Sequence, residues 1–229
     1  QESSADQAAL RFLQGARISA QGMHDFLARL QDQELLPADQ QSAFVRTHPL
    51  TRDRVESIAA ALTTASAQPS LAAFYTERFG RIRAKLEGFL DPRGTLQRQG
   101  EQVTTFADRY ARAVALHQTG DTQGALSLVA GLLGQEPDNP YLHELHGQIL
   151  YESGQVVESL APYRQAVTLS DGNDLLRVGL AQALLNTDRP GDLAEAVTQL
   201  ETALNGERQS PLLWRLLATA KAEIGRAHV

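Results

Sequence analysis

Apolar residues recur along the chain every three to four positions, and strict apolar–polar alternation is scarce, so the pattern predicts helices throughout. From Glu2 to Leu13, the residues Ala5, Ala8, Ala9, Phe12 and Leu13 share one helical face, and Gly15 is placed to end that helix. Ser19 is a suitable cap for a second helix carrying Met23, Phe26, Leu27 and Leu30. Pro37 to Pro49 reads as a loop around a short turn. Thr51 is placed to cap a third helix through Val55, Ile58, Ala59 and Leu62. Ser70 is placed to cap a fourth through Phe74, Phe79, Ile82 and Leu86. Asp91-Pro92-Arg93-Gly94 reads as a turn, and the domain boundary is expected near it, dividing the chain into residues 1–100 and 101–229.

Beyond that boundary the pattern repeats. Gly120 and Gly154 lie 34 residues apart, as do Ala113 and Gly147, Leu116 and Leu150, and Leu132 and Ala166. A period of 34 with small residues where two helices touch is the signature of tetratricopeptide repeats, helix–turn–helix units that stack on copies of themselves. The first repeat spans Phe106 to Asn139, the second Pro140 to Asn173 and the third Asp174 to Ser210, and Pro211 opens a final helix. The predicted fold class is therefore all-α, ending in a helical-repeat superhelix. In such a stack the first helix of each repeat lines the concave face. That assigns Tyr110 in the first repeat, and Tyr141, Glu144, Gln148 and Tyr151 in the second, to a candidate peptide-binding groove, continued by Leu175, Val178 and Gln182 in the third. A groove with tyrosines and few positive charges suits an apolar or extended peptide better than an acidic tail.

Composition narrows the chemistry. The 229 residues carry a net charge of −6 with no block of like charge, so nothing points to nucleic acid. No apolar run is long enough to span a bilayer. The absence of cysteine excludes disulfides, thiolate metal sites and a cysteine nucleophile. His143-Glu144-Leu145-His146 is not the zinc-protease motif, because its histidines stand at i and i+3 rather than i and i+4. No glycine-rich phosphate loop and no Gly-x-Ser-x-Gly elbow is present.

Two N-terminal features gain weight together. Glu2 and Asp6 place carboxylates at i and i+4 on one helix, with Ala5 beside them. Thr47-His48-Pro49-Leu50-Thr51 leads into Arg54 and Val55. With Gly15, Gly22-Met23, Phe26 and Leu30 between them, these residues resemble the tail of the catalytic domain in BepA-like zinc metallopeptidases. Many members of that family carry tetratricopeptide repeats behind the catalytic domain, and Asn139 to Gly154 is similar to the repeat found there. The resemblance implies that Glu2 is the third zinc ligand of a His₂Glu site and that Asp6 orients a ligating histidine. It implies that His48 sits on an active-site loop with a regulatory or transition-state role, and that Arg54 anchors this loop. The His-Glu-x-x-His helix of the family is absent from these residues.

The expectation is therefore a C-terminal fragment of a periplasmic zinc metalloendopeptidase: 1–100 as the last helices of the peptidase domain, 101–229 as the repeat domain. Zinc belongs to the intact protein. This chain alone, lacking two ligands and the general base, should hold no zinc and cleave nothing. Partners implied by the resemblance are protein or peptide substrates, outer-membrane assembly proteins among them, in a quality-control role. The alternative is a non-catalytic repeat adaptor or chaperone that binds peptides in its concave groove. A self-contained structural protein would instead bury Ala5, Ala9 and Phe12 within this chain.

Overall fold

The computed structural model describes residues 2–34, 52–64, 72–100, 103–187 and 189–227. Among these residues the chain is all-α, with twelve helices and no strand. Two compact units divide it, residues 1–79 and 80–229, so the contact boundary falls inside a helix and ahead of the boundary expected near residue 100.

The first unit holds α1 (Glu2–Gly15), α2 (Gln21–Glu34), α3 (Arg52–Thr64) and the start of α4 (Ala72–Leu90). α3 packs on both α1 and α2 through a small core of Leu27, Val55 and Ile58, with Leu10, Met23 and Leu30 against it. Ser19 acts at the start of α2 as expected, its Oγ accepting from the Gln21 amide at 3.2 Å. The inward face of α1 differs from the expected one. Phe12 is 77% exposed and Ala5 is exposed, whereas Asp6 is buried and Leu10 joins the core. Phe26 on α2 is likewise exposed. Thus Ala5 and Phe12 do not form the buried face that a self-contained helical protein would require. The turn of α1 toward the core is set by the Asp6 carboxylate, whose partner lies on α3. The expected loop at 37–49 and the caps Thr51 and Ser70 lie outside the described residues.

The second unit begins with the end of α4 and continues through α5 (Pro92–Gln99), α6 (Phe106–Gln118), α7 (Thr122–Leu133), α8 (Pro140–Glu152), α9 (Val156–Leu169), α10 (Asp174–Leu185), α11 (Pro190–Gly206) and α12 (Pro211–Ala227). Asp91-Pro92-Arg93-Gly94 is not a free turn but the cap and first turn of α5: the Asp91 side chain accepts from the Gly94 amide, and proline at the first helical position gives up no needed donor. On α4 the expected face is also reversed. Ile82 and Leu86 are exposed, and Ala84 enters the core instead; further along, Gly88 lets α4 lie close to α6, where a Cβ would crowd the Ala111 carbonyl.

From α6 onward consecutive helices pack as antiparallel neighbours, each pair touching the next. The repeat is visible in its caps. The Asn139 and Asn173 side chains accept from the amides of Tyr141 and Leu175, each at 3.0 Å, and start α8 and α10 alike. It is visible in its turns, where Gly120 (φ 89°) and Gly154 (φ 81°) take left-handed conformations that cost other residues steric strain. It is visible in its core as well. Ala125, Ser159 and Ala196 occupy equivalent places on α7, α9 and α11 and are fully buried, as are Leu132, Ala166 and Ala203. The Ser159 hydroxyl is kept satisfied by donating to the Val156 carbonyl at 2.7 Å.

Candidate functional site

In the first unit one polar pair stands out. Arg54, on the first turn of α3, donates from Nε to Asp6 Oδ2 at 2.7 Å and from Nη2 to Asp6 Oδ1 at 2.9 Å. Both side chains are nearly nine-tenths buried. A planar guanidinium meeting both oxygens of a carboxylate satisfies the charge and hydrogen-bonding needs of each at once, which is what permits burial here. Arg54 thus holds Asp6 directly. His48 lies outside the described residues, as does the side chain of Glu2, whose backbone opens α1. Among the described residues no three histidine or carboxylate side chains converge in a way that could hold a metal ion. The described residues do not by themselves fit a zinc site. Among the described residues, His24 and His143 are engaged otherwise. His24 Nδ1 lies 3.1 Å from its neighbour Asp25, and His143 Nε2 lies 2.8 Å from the Pro137 carbonyl. Burial, and then the charge of His143, hold the His146 imidazole below its ordinary range.

In the second unit α8, α9 and α10 meet the start of α12 around an open groove of about 310 Å³. Glu144, Gln148 and Tyr151 line it from α8, one and two turns apart, as the repeat register requires. Leu175, Val178 and Gln182 line it from α10, likewise on one helical face at steps of three and four. The apolar floor is completed by Leu212 and Leu213. Leu175 is 76% exposed and Leu212 is exposed, so apolar side chains here face solvent without cover.

Polar groups order the rim. Gln148 Nε2 donates to Glu152 Oε1 at 2.8 Å, and His117 Nε2 lies 2.8 Å from Glu152 Oε2, tying the end of α6 to the end of α8. The Tyr151 hydroxyl accepts from the Asn186 side-chain amide at 2.9 Å. Tyr163 reaches the groove from α9 by passing between two glycines. A Cβ at Gly147 would stand 2.8 Å from the Tyr163 Cγ, and one at Gly179 would stand 3.1 Å from its Cε1. The tyrosine is only 5% exposed. Burial pushes its hydroxyl well above the usual phenol range, and the Glu144 and Glu152 carboxylates push it further.

Two of the five residues expected in the groove lie elsewhere. Tyr110 is a core residue, 6% exposed, packed with Ala84, Ala111 and Val114 and lying 6.4 Å, ring to ring, from Phe106. The reason is that α4 covers that face of the first repeat. Tyr141 is exposed on α8 but does not line the groove. The groove also takes in Tyr163, Asp174, Glu207 and Leu212, which the repeat register does not predict. Tyr163 belongs to a second-helix position that ordinarily only packs. The signal available for it was the pair of glycines, Gly147 and Gly179, on the first helices of successive repeats.

The groove coincides with a recognisable repeat. Residues 150–220 match the family model for the tetratricopeptide repeat. The chain is also 27% identical, over an alignment of 237 residues, to the beta-barrel assembly-enhancing protease of Yersinia pestis. That similarity covers 98% of this chain and 46% of the relative, so the chain spans about half the length of the curated relative it matches. The resemblance read from Glu2 to Val55 and from Asn139 to Gly154 is thus met by similarity along nearly the whole chain, to a protease that bears the expected name.

Proposed function

We propose that this chain is the repeat-bearing portion of a zinc metalloendopeptidase of the bacterial envelope, and that its groove holds extended segments of protein substrates or partners. The observation that carries the binding role is the convergence of Glu144, Gln148 and Tyr151 with Leu175, Val178 and Gln182 on one uncovered groove, at the spacing the repeat dictates. Kinship with a protease over the full chain supports the enzymatic setting. No helix among the described residues is long and apolar enough to cross a membrane.

On this reading Glu2 supplies the carboxylate ligand of the intact enzyme's His₂Glu zinc site, with both histidines coming from sequence other than these residues. Asp6 and His48 take the supporting roles the resemblance gives them. The residues of this chain alone hold no zinc and cut no peptide. The periplasm is the compartment, and outer-membrane assembly proteins are the clients expected in a quality-control role.

The binding role is tested with fluorescently labelled peptides that alternate apolar and polar residues, titrated against the 229-residue chain. Tyr151→Ala and Leu175→Ser should each weaken binding by about fivefold or more with helicity unchanged. Unaltered affinity in both variants would remove the groove from consideration. The enzymatic setting is tested on the full-length gene product, where stoichiometric zinc should be lost on Glu2→Gln. A zinc-free parent leaves the non-catalytic repeat adaptor as the function.

A further inference from the structure

We infer that the groove selects cationic segments, taking a lysine or arginine side chain between apolar anchors of an extended polypeptide. The inference rests on the reading of the groove as a polypeptide site and assigns that site its ligand chemistry.

The residues lining the groove include four carboxylates, Glu144, Glu152, Asp174 and Glu207, and no lysine, arginine or histidine. Two are partly compensated from outside. Lys85 Nζ stands 3.4 Å from Glu144 Oε2, and Glu152 is engaged by His117 and Gln148. The other two are not. The Asp174 carboxylate, on the first turn of α10, and that of Glu207, just past α11, make no ion pair or hydrogen bond among the described residues. A concave, partly apolar wall around unneutralised carboxylates focuses a negative potential into the groove.

An independent feature points the same way. Tyr163 is 5% exposed and lines the groove, yet its hydroxyl makes no hydrogen bond among the described residues. The body of the ring is packed away while the hydroxyl stays open to the groove, where a ligand can supply its partner. Tyr151, Leu175 and Leu212 offer the apolar surface on which the methylene stem of a lysine or arginine lies while its charged head meets the carboxylates. An acidic segment would meet like charges on every side, so the arrangement discriminates against it as well as for its opposite.

The test compares three labelled peptides of equal length that alternate leucine with lysine, with glutamine or with glutamate, binding to the 229-residue chain at low and at physiological salt. The lysine peptide should bind about tenfold tighter than the glutamine peptide, the glutamate peptide weakest, and the preference should shrink as salt rises. The double variant Asp174→Asn/Glu207→Gln should bind the lysine and glutamine peptides more nearly alike, with its helical content checked by circular dichroism. Equal binding of lysine and glutamine peptides to the unaltered protein, still weakened by Leu175→Ser, would overturn the charge selection and leave the groove as a neutral polypeptide site. Absence of binding by all three would overturn the groove reading itself. The comparison on unaltered protein decides the matter even if the double variant does not fold.

Discussion

Arg54 grips both oxygens of Asp6 at 2.7 and 2.9 Å across the interface of α3 and α1, and neither side chain is more than 12% exposed. The pair joins residues 48 positions apart in a unit whose apolar core is small. Removing one partner leaves the other's charge or hydrogen-bonding groups buried and unmet, so Asp6→Asn should cost about 3 kcal/mol in the first unit. Arg54→Lys should cost less, since it keeps the charge and loses the fork. Hydrogen exchange at the amides of α1 and α3 reads the change without contribution from the repeats. A loss well under about 1 kcal/mol would reduce the pair to an ordinary surface contact.

Arg81 and Glu136 form the corresponding pin of the second unit, with two donated hydrogen bonds of 2.6 and 2.7 Å, and the Arg81 guanidinium lies 4.2 Å from the centre of the Phe106 ring. The hydrogen bonds from Arg81 hold the Glu136 carboxyl below its ordinary 4.5. Because the folded value is depressed, the stabilisation is complete above about pH 4.5 and is lost as pH falls through the folded value. Glu136→Gln should therefore lower stability at neutral pH by about 1 kcal/mol and approach the unaltered protein in strong acid. Thermal unfolding followed by circular dichroism across that range checks the convergence, and a pH-independent difference would contradict it.

His146 should give the repeats a second, milder acid sensitivity. Its folded value is depressed by burial and by His143, so the unfolded chain binds the proton more readily. The contribution of His146 to stability is whole above about pH 6.5 and declines as pH falls from there toward the lower folded value. His146→Gln should flatten the fall in unfolding midpoint between neutral and mildly acidic pH. The same slope in variant and unaltered protein would assign the sensitivity to other groups.

Gly147 and Gly131 should answer alanine substitution oppositely. Both are helical, but a Cβ at Gly147 would stand 2.8 Å from the Tyr163 ring, whereas one at Gly131 meets nothing within 4 Å. Gly131→Ala should stabilise by about 0.5–1 kcal/mol through helix propensity. Gly147→Ala should destabilise by about 1–2 kcal/mol as the ring is forced aside. It should also weaken peptide binding, since Tyr163 lines the groove. Urea unfolding of the two variants side by side provides the comparison.

The register of the repeats was legible because it is written in local chemistry. Asn139-Pro140 and Asn173-Asp174 begin helices by capping their own amides, and Gly120 and Gly154 turn the chain by their own backbone freedom. The same register carried Glu144, Gln148 and Tyr151 into the groove, since positions three and four apart on one helix share a face whatever lies opposite. Tyr110 obeyed that register too and still ended in the core, because a helix outside the repeat, α4, covers its face. Tyr163 broke the register, entering from the second helix through the gap left by two glycines.

What the sequence by itself determined, then, is the succession of helices, the period of their pairing and the similarity to a beta-barrel assembly-enhancing protease. Those rest on interactions within a few residues of chain and on patterns that survive without knowledge of neighbours. Tertiary structure alone decided which faces are inward. Asp6 rather than Phe12 turns toward the core of the first unit because Arg54 waits on α3, and Ala84 rather than Ile82 turns inward on α4, on the side where Gly88 leaves room for α6. The acidic character of the groove was also out of reach, since Glu144, Asp174 and Glu207 stand far apart in sequence and are brought together only by stacking of α8 and α10 with the end of α11. Burial and electrostatic potential are sums over partners, and the partners of a residue are fixed by the fold rather than by its place in the chain.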